Sequence, residues 1–266
     1  KGFDLLELPI HKTRLLLSLN KAFSYLEHQT TIARLEEEKQ RYAKELSDLN
    51  QIGIALSAER NIDCLLQWIL QRSREITSAD AGSLYLVEGQ TELPSAEKGP
   101  ETNNKLRFKL SQNDSLPSAA SLEEFTIDIN QQSLAGYVAL TGQILNLPDV
   151  YDLASDHPYS FNPSFDRLTG YRTKSMLVVP MVNHKGEIIG VIQLINRKDS
   201  KDLILSYPEL VEKRVLPFDN RCEDLVHSLT SQAAVALENT TLYSDIQNLF
   251  EGLVRASVTA IESRDP

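Results

Sequence analysis

The residue types that can bind a small polar ligand are concentrated in the segment 162–173. It carries an amide at Asn162, a carboxylate at Asp166 and hydroxyls at Thr169 and Thr173. Hydroxyls donate hydrogen bonds to phosphate or ribose oxygens, and a carboxylate accepts them from a ring N–H or a ribose hydroxyl. The set is typical of a site that holds a small polar ligand. Taken singly, the same residues are also typical of caps and turns in an irregular loop.

Other parts of the sequence offer complementary groups. Gln193 can present a donor and an acceptor to the edge of a purine. A short helix is predicted over 132–141, and its first backbone N–H groups would attract an anion. The small residues Ala135 and Gly136 would let a ligand phosphate approach that end, and Phe165 would supply an apolar wall for a base. These groups are chemically compatible with a ligand that has a phosphate and a purine ring.

The sequence shows no pattern of catalytic or metal-binding residues. The 5 histidines are not paired at metal-ligand spacing. The 2 cysteines, Cys64 and Cys222, form no Cys-x-x-Cys pair. No nucleophile can be matched with a base and an orienting group. We therefore expect neither catalysis nor a bound metal in this chain.

Composition restricts the class of partner. The chain has 27 basic and 37 acidic residues and a net charge of -10, which disfavours binding to a nucleic-acid backbone. No apolar run approaches the roughly 20 residues that span a bilayer, and no signal peptide is recognisable. The cysteine usage fits a reducing compartment. We expect a soluble, cytoplasmic protein without a nucleic-acid or membrane partner.

Hydrophobic periodicity predicts the elements that position these residues. A long helix over 10–56 is followed by a second helix over 62–76, with Asn61 as its N-cap. Strands are predicted at 82–87, 105–110, 125–129 and 143–147, and a hairpin joins strands 175–182 and 187–196 through the turn 183–186. A polar loop is expected at 88–104, an irregular segment before residue 175, a charged loop at 197–214 and a last helix over 218–264. Helices that bracket an antiparallel sheet define an α+β class.

Both long helices have mostly apolar residues at heptad spacing, with polar exceptions at His28 and Lys39. In the first helix, one heptad line contains His28, Leu35, Tyr42, Leu49 and Leu56, and the other contains Ile32, Lys39, Leu46 and Gly53. In the last helix, one line contains Leu229, Ala236, Tyr243 and Phe250, and the other contains Leu225, Ile246 and Leu253. The pattern predicts coiled-coil-like helices that join two copies of the chain into a homodimer. The alternative is an amphipathic helix that lies on its own domain.

The order of elements over about residues 50–243 resembles a GAF domain, the small-ligand sensory module of signalling proteins. The cyclic-nucleotide-binding branch of that family has a spaced residue pattern that this chain largely matches, at Ser83, Leu134, Ala135, Gly136, Asn162, Phe165, Asp166, Thr169, Thr173 and Gln193. Where the family has Phe-Asp against the base, this chain has Asn113 and Asp114, without the aromatic ring. The resemblance implies a cyclic AMP or cyclic GMP site formed by these residues, with the choice of base open. The alternative is a ligand-free dimerisation and signal-relay module.

The two ends of the chain resemble other signalling domains. Residues 249–266 are similar to the first helix of an HD-GYP domain, which implies a following cyclic-di-GMP phosphodiesterase whose divalent metals are held outside this chain. Residues 1–9 resemble the end of a receiver domain, with Leu8 in place of the family lysine. The expected division is therefore a receiver-like end at 1–28, a signalling helix at 29–56, a GAF domain at 57–217, a second signalling helix at 218–248 and the start of the HD-GYP domain at 249–266.

Overall fold

The computed structural model describes residues 12–88, 105–116, 124–154 and 156–262. The predicted loop after Glu88 and the receiver-like residues 1–9 lie outside the described residues. Contacts divide the chain into two units, Lys1–Asn50 and Gln51–Pro266. Helix α1, Lys12–Ala58, makes up the described part of the first unit and continues into the second, which confirms the predicted long helix.

The second unit contains an antiparallel sheet between helices, as predicted. Its helices are α2 (Ile62–Thr77), α3 (Leu134–Thr141), α4 (Ser164–Thr169), α5 (Pro208–Arg214) and α6 (Asn220–Glu262). Its strands are β1 (Ala79–Val87), β2 (Lys105–Asn113), β3 (Thr126–Asp128), β4 (Leu145–Leu147), β5 (Met176–Val182), β6 (Ile188–Lys198) and β7 (Val215–Leu216). The strands follow the order β3-β2-β1-β6-β5-β4, and β7 pairs with β6. This arrangement confirms the α+β class.

Helix α2 covers one face of the sheet. Its N-cap is Asn61, whose side chain accepts a hydrogen bond from the backbone N–H of Cys64 at 3.0 Å, as predicted. Leu70 of α2 packs so closely on β1 that a Cβ at Gly82 would lie 2.9 Å from its Cδ1. Because side chains alternate along a strand, Ser83 and Tyr85 point to the opposite face.

The opposite face of the sheet carries a separate apolar cluster. Tyr85 and Phe108 from β1 and β2 pack there with Leu134 and Val138 of α3 and with Val191 of β6. All five side chains are at most 9% exposed, so α3 is fixed against the centre of the sheet. The predicted ligand-binding residues Ser83 and Gln193 also lie on this face of the sheet.

Two segments are more regular than predicted. The irregular segment before β5 contains α4, whose six residues are too few to show a helical period in the sequence. The charged loop expected at 197–214 instead contains the end of β6 and all of α5, and it is followed by β7. Pro208 occupies the start of α5, where a missing N–H costs no helical hydrogen bond. Lys198 extends β6 as a buried residue that pairs with Asp80 at 3.2 Å.

The heptad lines predicted for α6 are divided between two environments. Leu229 and Ala236 are at most 1% exposed and belong to the core of their own unit, so this half of the predicted intermolecular line is wrong. Tyr243 and Phe250, farther along the same line, are 55% and 65% exposed. None of the helices in the described ranges is both long and apolar enough to cross a bilayer.

Candidate ligand-binding site

Ser83 and Gln193 face each other on the two central strands. They are register partners of the β1–β6 pair, and the Ser83 hydroxyl donates a hydrogen bond to Gln193 Oε1 at 3.1 Å. The hydroxyl of Tyr85 donates to the same oxygen at 3.3 Å. Sequence reasoning missed Tyr85, although its position two residues after Ser83 already puts both on one face of a strand. The structure thus makes a three-residue group, Ser83, Tyr85 and Gln193, which we call the strand cluster.

The surroundings of Tyr85 keep its hydroxyl protonated. Burial raises the pKa of Tyr85 above its ordinary value, and the hydrogen bond with Ser83 only partly opposes this effect. The ring of Tyr85 packs edge-on against Phe108, with 5.5 Å between the ring centroids. A neutral phenol donates through its O–H, so Tyr85 acts as a fixed donor to Gln193 Oε1.

Asp166 and Thr173 lie together in a second polar group. The Asp166 carboxylate accepts hydrogen bonds from the Thr173 backbone N–H and hydroxyl, both at 2.8 Å, and from the Tyr151 hydroxyl at 2.9 Å. Asp166 is 6% exposed and Thr173 is 3% exposed. Gly170 ends α4 in the left-handed conformation (φ 73°) and turns the chain from Asp166 back towards Thr173. We call Tyr151, Asp166 and Thr173 the Asp166 corner.

Tyr151 connects the Asp166 corner to an aromatic cavity. Partial burial of this side chain, which is 48% exposed, followed by the hydrogen bond to Asp166, raises the pKa of Tyr151 to about 12. The Arg172 guanidinium lies 4.2 Å from the centre of its ring and pairs with Asp149 at 2.9 Å. The ring of Phe161 packs edge-on at 5.1 Å. Tyr151 and Phe161 line a cavity of about 290 Å³, together with His157, Tyr159 and Pro163 among others.

The other candidates in the segment 162–173 form local hydrogen bonds. The Thr169 hydroxyl donates to the backbone oxygen of Phe165 at 2.8 Å and accepts from the Tyr171 N–H at 3.3 Å. Asn162 is exposed, and its Oδ1 accepts from the Ser164 N–H at 3.0 Å. Phe165 is half-buried. These contacts match the cap and turn roles that the sequence left open for Asn162 and Thr169.

The start of α3 is closely packed. Ser133 is the N-cap, and its side chain accepts from the Gly136 N–H at 3.0 Å. A Cβ at Gly136 would lie 2.8 Å from the backbone oxygen of Asn130 and 2.9 Å from that of Asp128. Glycine is therefore required at 136 by the chain leading into α3. Leu134 and Ala135 are both buried.

Asn113 and Asp114 are engaged beside the end of α2. Asn113 Oδ1 accepts from the backbone N–H of Ser115 at 2.8 Å and from that of Leu116 at 2.9 Å. Partial burial opposes ionisation of Asp114, but hydrogen bonds and charge from Arg74 and Lys198 hold its pKa below the ordinary value.

Arg74 and Lys198 also line a polar cavity of about 360 Å³. Lys198 bridges Asp114 to the buried Asp80, which accepts a hydrogen bond from the Tyr171 hydroxyl at 2.7 Å. The Asp114 carboxylate is thus committed to a charge cluster, whereas Ser83 and Gln193 bond to each other. Within the described ranges, no group of three or more His, Cys, Asp or Glu side chains is placed to hold a metal ion.

Sequence relatives of the chain include cyclic-nucleotide phosphodiesterases. It is 31% identical over 191 residues to a cGMP-specific 3',5'-cyclic phosphodiesterase of Drosophila erecta, a match covering 70% of this chain and 15% of that protein. It is 42% identical over 87 residues to a dual 3',5'-cyclic-AMP and -GMP phosphodiesterase 11A of Takifugu rubripes, covering 33% of this chain and 9% of that protein. The matched part is therefore a small fraction of these relatives' length.

Solved structures and a family model agree on the fold. The GAF domain of a phosphoenolpyruvate-protein phosphotransferase from Coxiella burnetii superposes with a TM-score of 0.52 at 17% identity, covering 76% of this chain and 96% of that one. The corresponding Acinetobacter domain gives a TM-score of 0.51 at 14% identity, covering 76% and 98%. The family model for the GAF domain matches residues 61–237. On the strength of this match, which takes in the whole sheet and helices α2 to α5, the chain belongs to the GAF domain family.

Proposed function

We propose that this GAF domain binds a cyclic nucleotide, cyclic AMP or cyclic GMP, as a regulatory ligand. The observation that carries the proposal is the strand cluster, in which Gln193 is half-buried beside Ser83 at the centre of the sheet. Its amide nitrogen has no hydrogen-bond partner among the described residues, and in this proposal it contacts the ligand. The names of the relatives support the same ligand class, because cyclic GMP or both cyclic nucleotides appear in them.

The remaining candidates have different roles within this proposal. Leu134, Ala135 and Phe165 form apolar walls, and the N-terminus of α3 attracts the ligand phosphate. The Asp166 corner positions the chain between α4 and β5, and Asp166 and Thr173 exchange internal hydrogen bonds for ligand contacts when the site is filled. Asn113, Asn162 and Thr169 contribute through the turns that they stabilise, and Asp114 contributes through its ion pairs with Arg74 and Lys198.

We infer that ligand occupancy is relayed along α6 to a C-terminal HD-GYP phosphodiesterase that hydrolyses cyclic di-GMP with divalent metals. Helix α6 runs without interruption from residues packed on the sheet, such as Val226, to exposed residues such as Leu253. If such a helix has two packing states, a ligand can shift the equilibrium between them only as far as its affinities for the two states differ. In this proposal the protein is cytoplasmic, and a receiver-like domain precedes α1.

The helices are proposed to join two copies of the chain. In α6, Ile246, Leu249, Phe250 and Leu253 are 56–68% exposed, which is unusual for large apolar side chains on one helix of a monomer. Light scattering should therefore give twice the chain mass. Phe250→Glu together with Leu253→Glu should yield monomers, whereas Ile204→Glu, at a 48% exposed apolar position outside the helices, should leave the mass unchanged. A monomeric wild-type chain would contradict this part of the proposal.

A second candidate function is a ligand-free dimerisation and relay module. The Asp166 corner favours it, because the carboxylate already accepts three hydrogen bonds from the protein itself. A domain whose polar site residues are satisfied internally does not need a ligand to fold. The two candidates differ in whether a cyclic nucleotide stabilises the domain.

Thermal unfolding with and without cyclic AMP, cyclic GMP and cyclic di-GMP separates the two functions. A ligand at about 100 times its Kd should stabilise the fold by roughly 2.7 kcal/mol and raise the Tm. Gln193→Ala should remove the shift, and Gln247→Ala, at an exposed position of α6, should keep it. If neither cyclic AMP nor cyclic GMP changes the Tm, the ligand-free module is the correct function.

A further inference from the structure

The side chain of Gln193 is held in one orientation by two hydroxyls. Ser83 Oγ and Tyr85 Oη both donate to Oε1, at 3.1 and 3.3 Å. An amide oxygen has two lone pairs, so two donors occupy its accepting capacity. The Gln193 side chain makes two hydrogen bonds with described residues, and Oε1 accepts both of them. The two N–H groups of Nε2 are therefore left for a ligand.

This orientation converts an ambiguous side chain into a donor. A free glutamine can accept with its oxygen and donate with its nitrogen, and that combination recognises N6 and N7 of adenine. At Gln193 the oxygen is already occupied, so the adenine N6 amino group has no acceptor to meet. Guanine instead presents two neighbouring acceptors, O6 and N7, to which cationic donor groups bind in bidentate fashion. An N–H group of Nε2 can donate to this pair of acceptors.

The buried environment makes the arrangement stable. Tyr85 is 9% exposed, Ser83 is 7% exposed, and both belong to a strand paired on each side, by β2 and by β6. The Tyr85 ring is also fixed by Phe108. Turning the amide over would take the Oε1 acceptor away from the O–H groups of two buried residues, and a buried donor without an acceptor is costly. The orientation is therefore set by the strands before any ligand arrives.

Resting on the proposed cyclic-nucleotide function, we propose that Ser83 and Tyr85 are positioning residues that make Gln193 a donor-only contact and so select guanine over adenine. The ligand class is a purine 3',5'-cyclic nucleotide with acceptors at both position 6 and position 7 of the ring. Cyclic IMP, which keeps O6 and N7 and lacks the 2-amino group, belongs to this class. Cyclic AMP does not, because its position 6 carries an amino donor.

Equilibrium binding of four nucleotides to the whole chain tests the proposal. Wild-type protein should bind cyclic GMP and cyclic IMP with similar Kd and cyclic AMP on the order of ten-fold or more weakly. The analogue 7-deaza-cyclic GMP, which lacks the N7 acceptor, should bind several-fold more weakly than cyclic GMP. The double variant Ser83→Ala, Tyr85→Phe frees Oε1 to accept from adenine, so its ratio of cyclic AMP to cyclic GMP Kd should fall towards one.

Tyr137→Phe is the matched control for the loss of a tyrosine–glutamine hydrogen bond. The Tyr137 hydroxyl donates to Gln143 Oε1 at 3.0 Å, away from the strand cluster, and its loss should leave the Kd ratio unchanged. Three results would each overturn the selection mechanism while the proposed function stands. The double variant could keep the Kd ratio of the wild type, the wild-type protein could prefer cyclic AMP, or it could bind 7-deaza-cyclic GMP as tightly as cyclic GMP. Wild-type protein that binds none of the nucleotides would overturn both. The analogue comparison uses wild-type protein alone, so it decides the matter even if the double variant does not fold.

Discussion

The strand cluster and the Asp166 corner contain similar polar side chains but differ in what the protein leaves for a ligand. In the corner, Tyr151 and Thr173 supply every hydrogen bond described for the Asp166 side chain. In the strand cluster, Ser83 and Tyr85 satisfy only the oxygen of Gln193. Under the proposed function, the corner chiefly holds the chain in place, whereas the cluster leaves the amide nitrogen of Gln193 for the ligand.

Removal of the Asp166 carboxylate should give the largest loss of stability. Asp166→Ala leaves the buried Thr173 N–H and hydroxyl without their acceptor, and hydrogen bonds to a charged group contribute about 1.5–3 kcal/mol each. We expect the free energy of unfolding to fall by about 3 kcal/mol or more in urea denaturation. Asp152→Ala, at an exposed position of the preceding segment, should change it little. A small loss in Asp166→Ala would mean that the corner does not support the fold.

A substitution at Gly136 tests whether the start of α3 stabilises the fold, as the Asp166 corner does, or contacts the ligand. Gly136→Ala would press a Cβ against the backbone oxygens of Asn130 and Asp128. Such overpacking costs about 1–3 kcal/mol, measurable as a lower Tm without ligand. Gly252→Ala has no atom within 4 Å of the added Cβ and should not destabilise the protein. If Gly136→Ala kept its Tm and only weakened nucleotide binding, the glycine would serve the ligand.

Thr169 and Thr173 allow the stability contributed by the Asp166 corner to be compared with that of a neighbouring hydroxyl. Thr173→Val removes a hydroxyl that donates to the buried Asp166 carboxylate and should cost about 1.5 kcal/mol. Thr169→Val removes a hydroxyl that donates to a backbone oxygen within α4 and should cost less, about 0.5–1 kcal/mol. Parallel denaturant unfolding of the two variants measures this order. The reverse order would place the stabilising contact outside the corner.

Alkaline pH should reveal the hydrogen bond between Tyr151 and Asp166 as the smallest effect. Burial and the contact with Asp166 raise the pKa of Tyr151 to about 12, above its unfolded value near 10. A raised pKa in the folded state stabilises the protein fully below pH 10 and less as the pH rises towards 12, because the unfolded chain loses the proton first. The difference in unfolding free energy between wild type and Tyr151→Phe should therefore shrink from pH 9 to pH 11. If this difference in unfolding free energy stayed constant from pH 9 to pH 11, the raised pKa of Tyr151 would be contradicted.

The sequence predicted the elements with strong local signals. Asn61 is the cap of α2, as its position predicts, and the apolar hairpin predicted at 175–196 corresponds to the antiparallel pair β5 and β6. Short elements were missed, because α4 has six residues and β7 has two. The heptad pattern of α6 could not show that Leu229 packs inside its own unit, since apolar spacing is the same for a core and for an intermolecular contact.

Site residues were harder to interpret than elements. The resemblance to the GAF family included both Ser83 and Gln193, and the structure shows that they are register partners on β1 and β6. Spacing could not show that Asp114 would pair with Arg74 and Lys198, which come from distant parts of the sequence. Spacing also could not show that glycine is required at 136 because backbone oxygens of the chain leading into α3 lie close to it. Such contacts depend on packing that no local pattern encodes.

Isothermal titration of cyclic GMP into the whole chain tests the central claim most directly. We predict saturable binding with one nucleotide per chain, and loss of that heat in Gln193→Ala, whose fold is checked by its unchanged circular dichroism. Binding that is absent for cyclic GMP and cyclic AMP at millimolar concentration would contradict the account and leave the ligand-free relay module in its place.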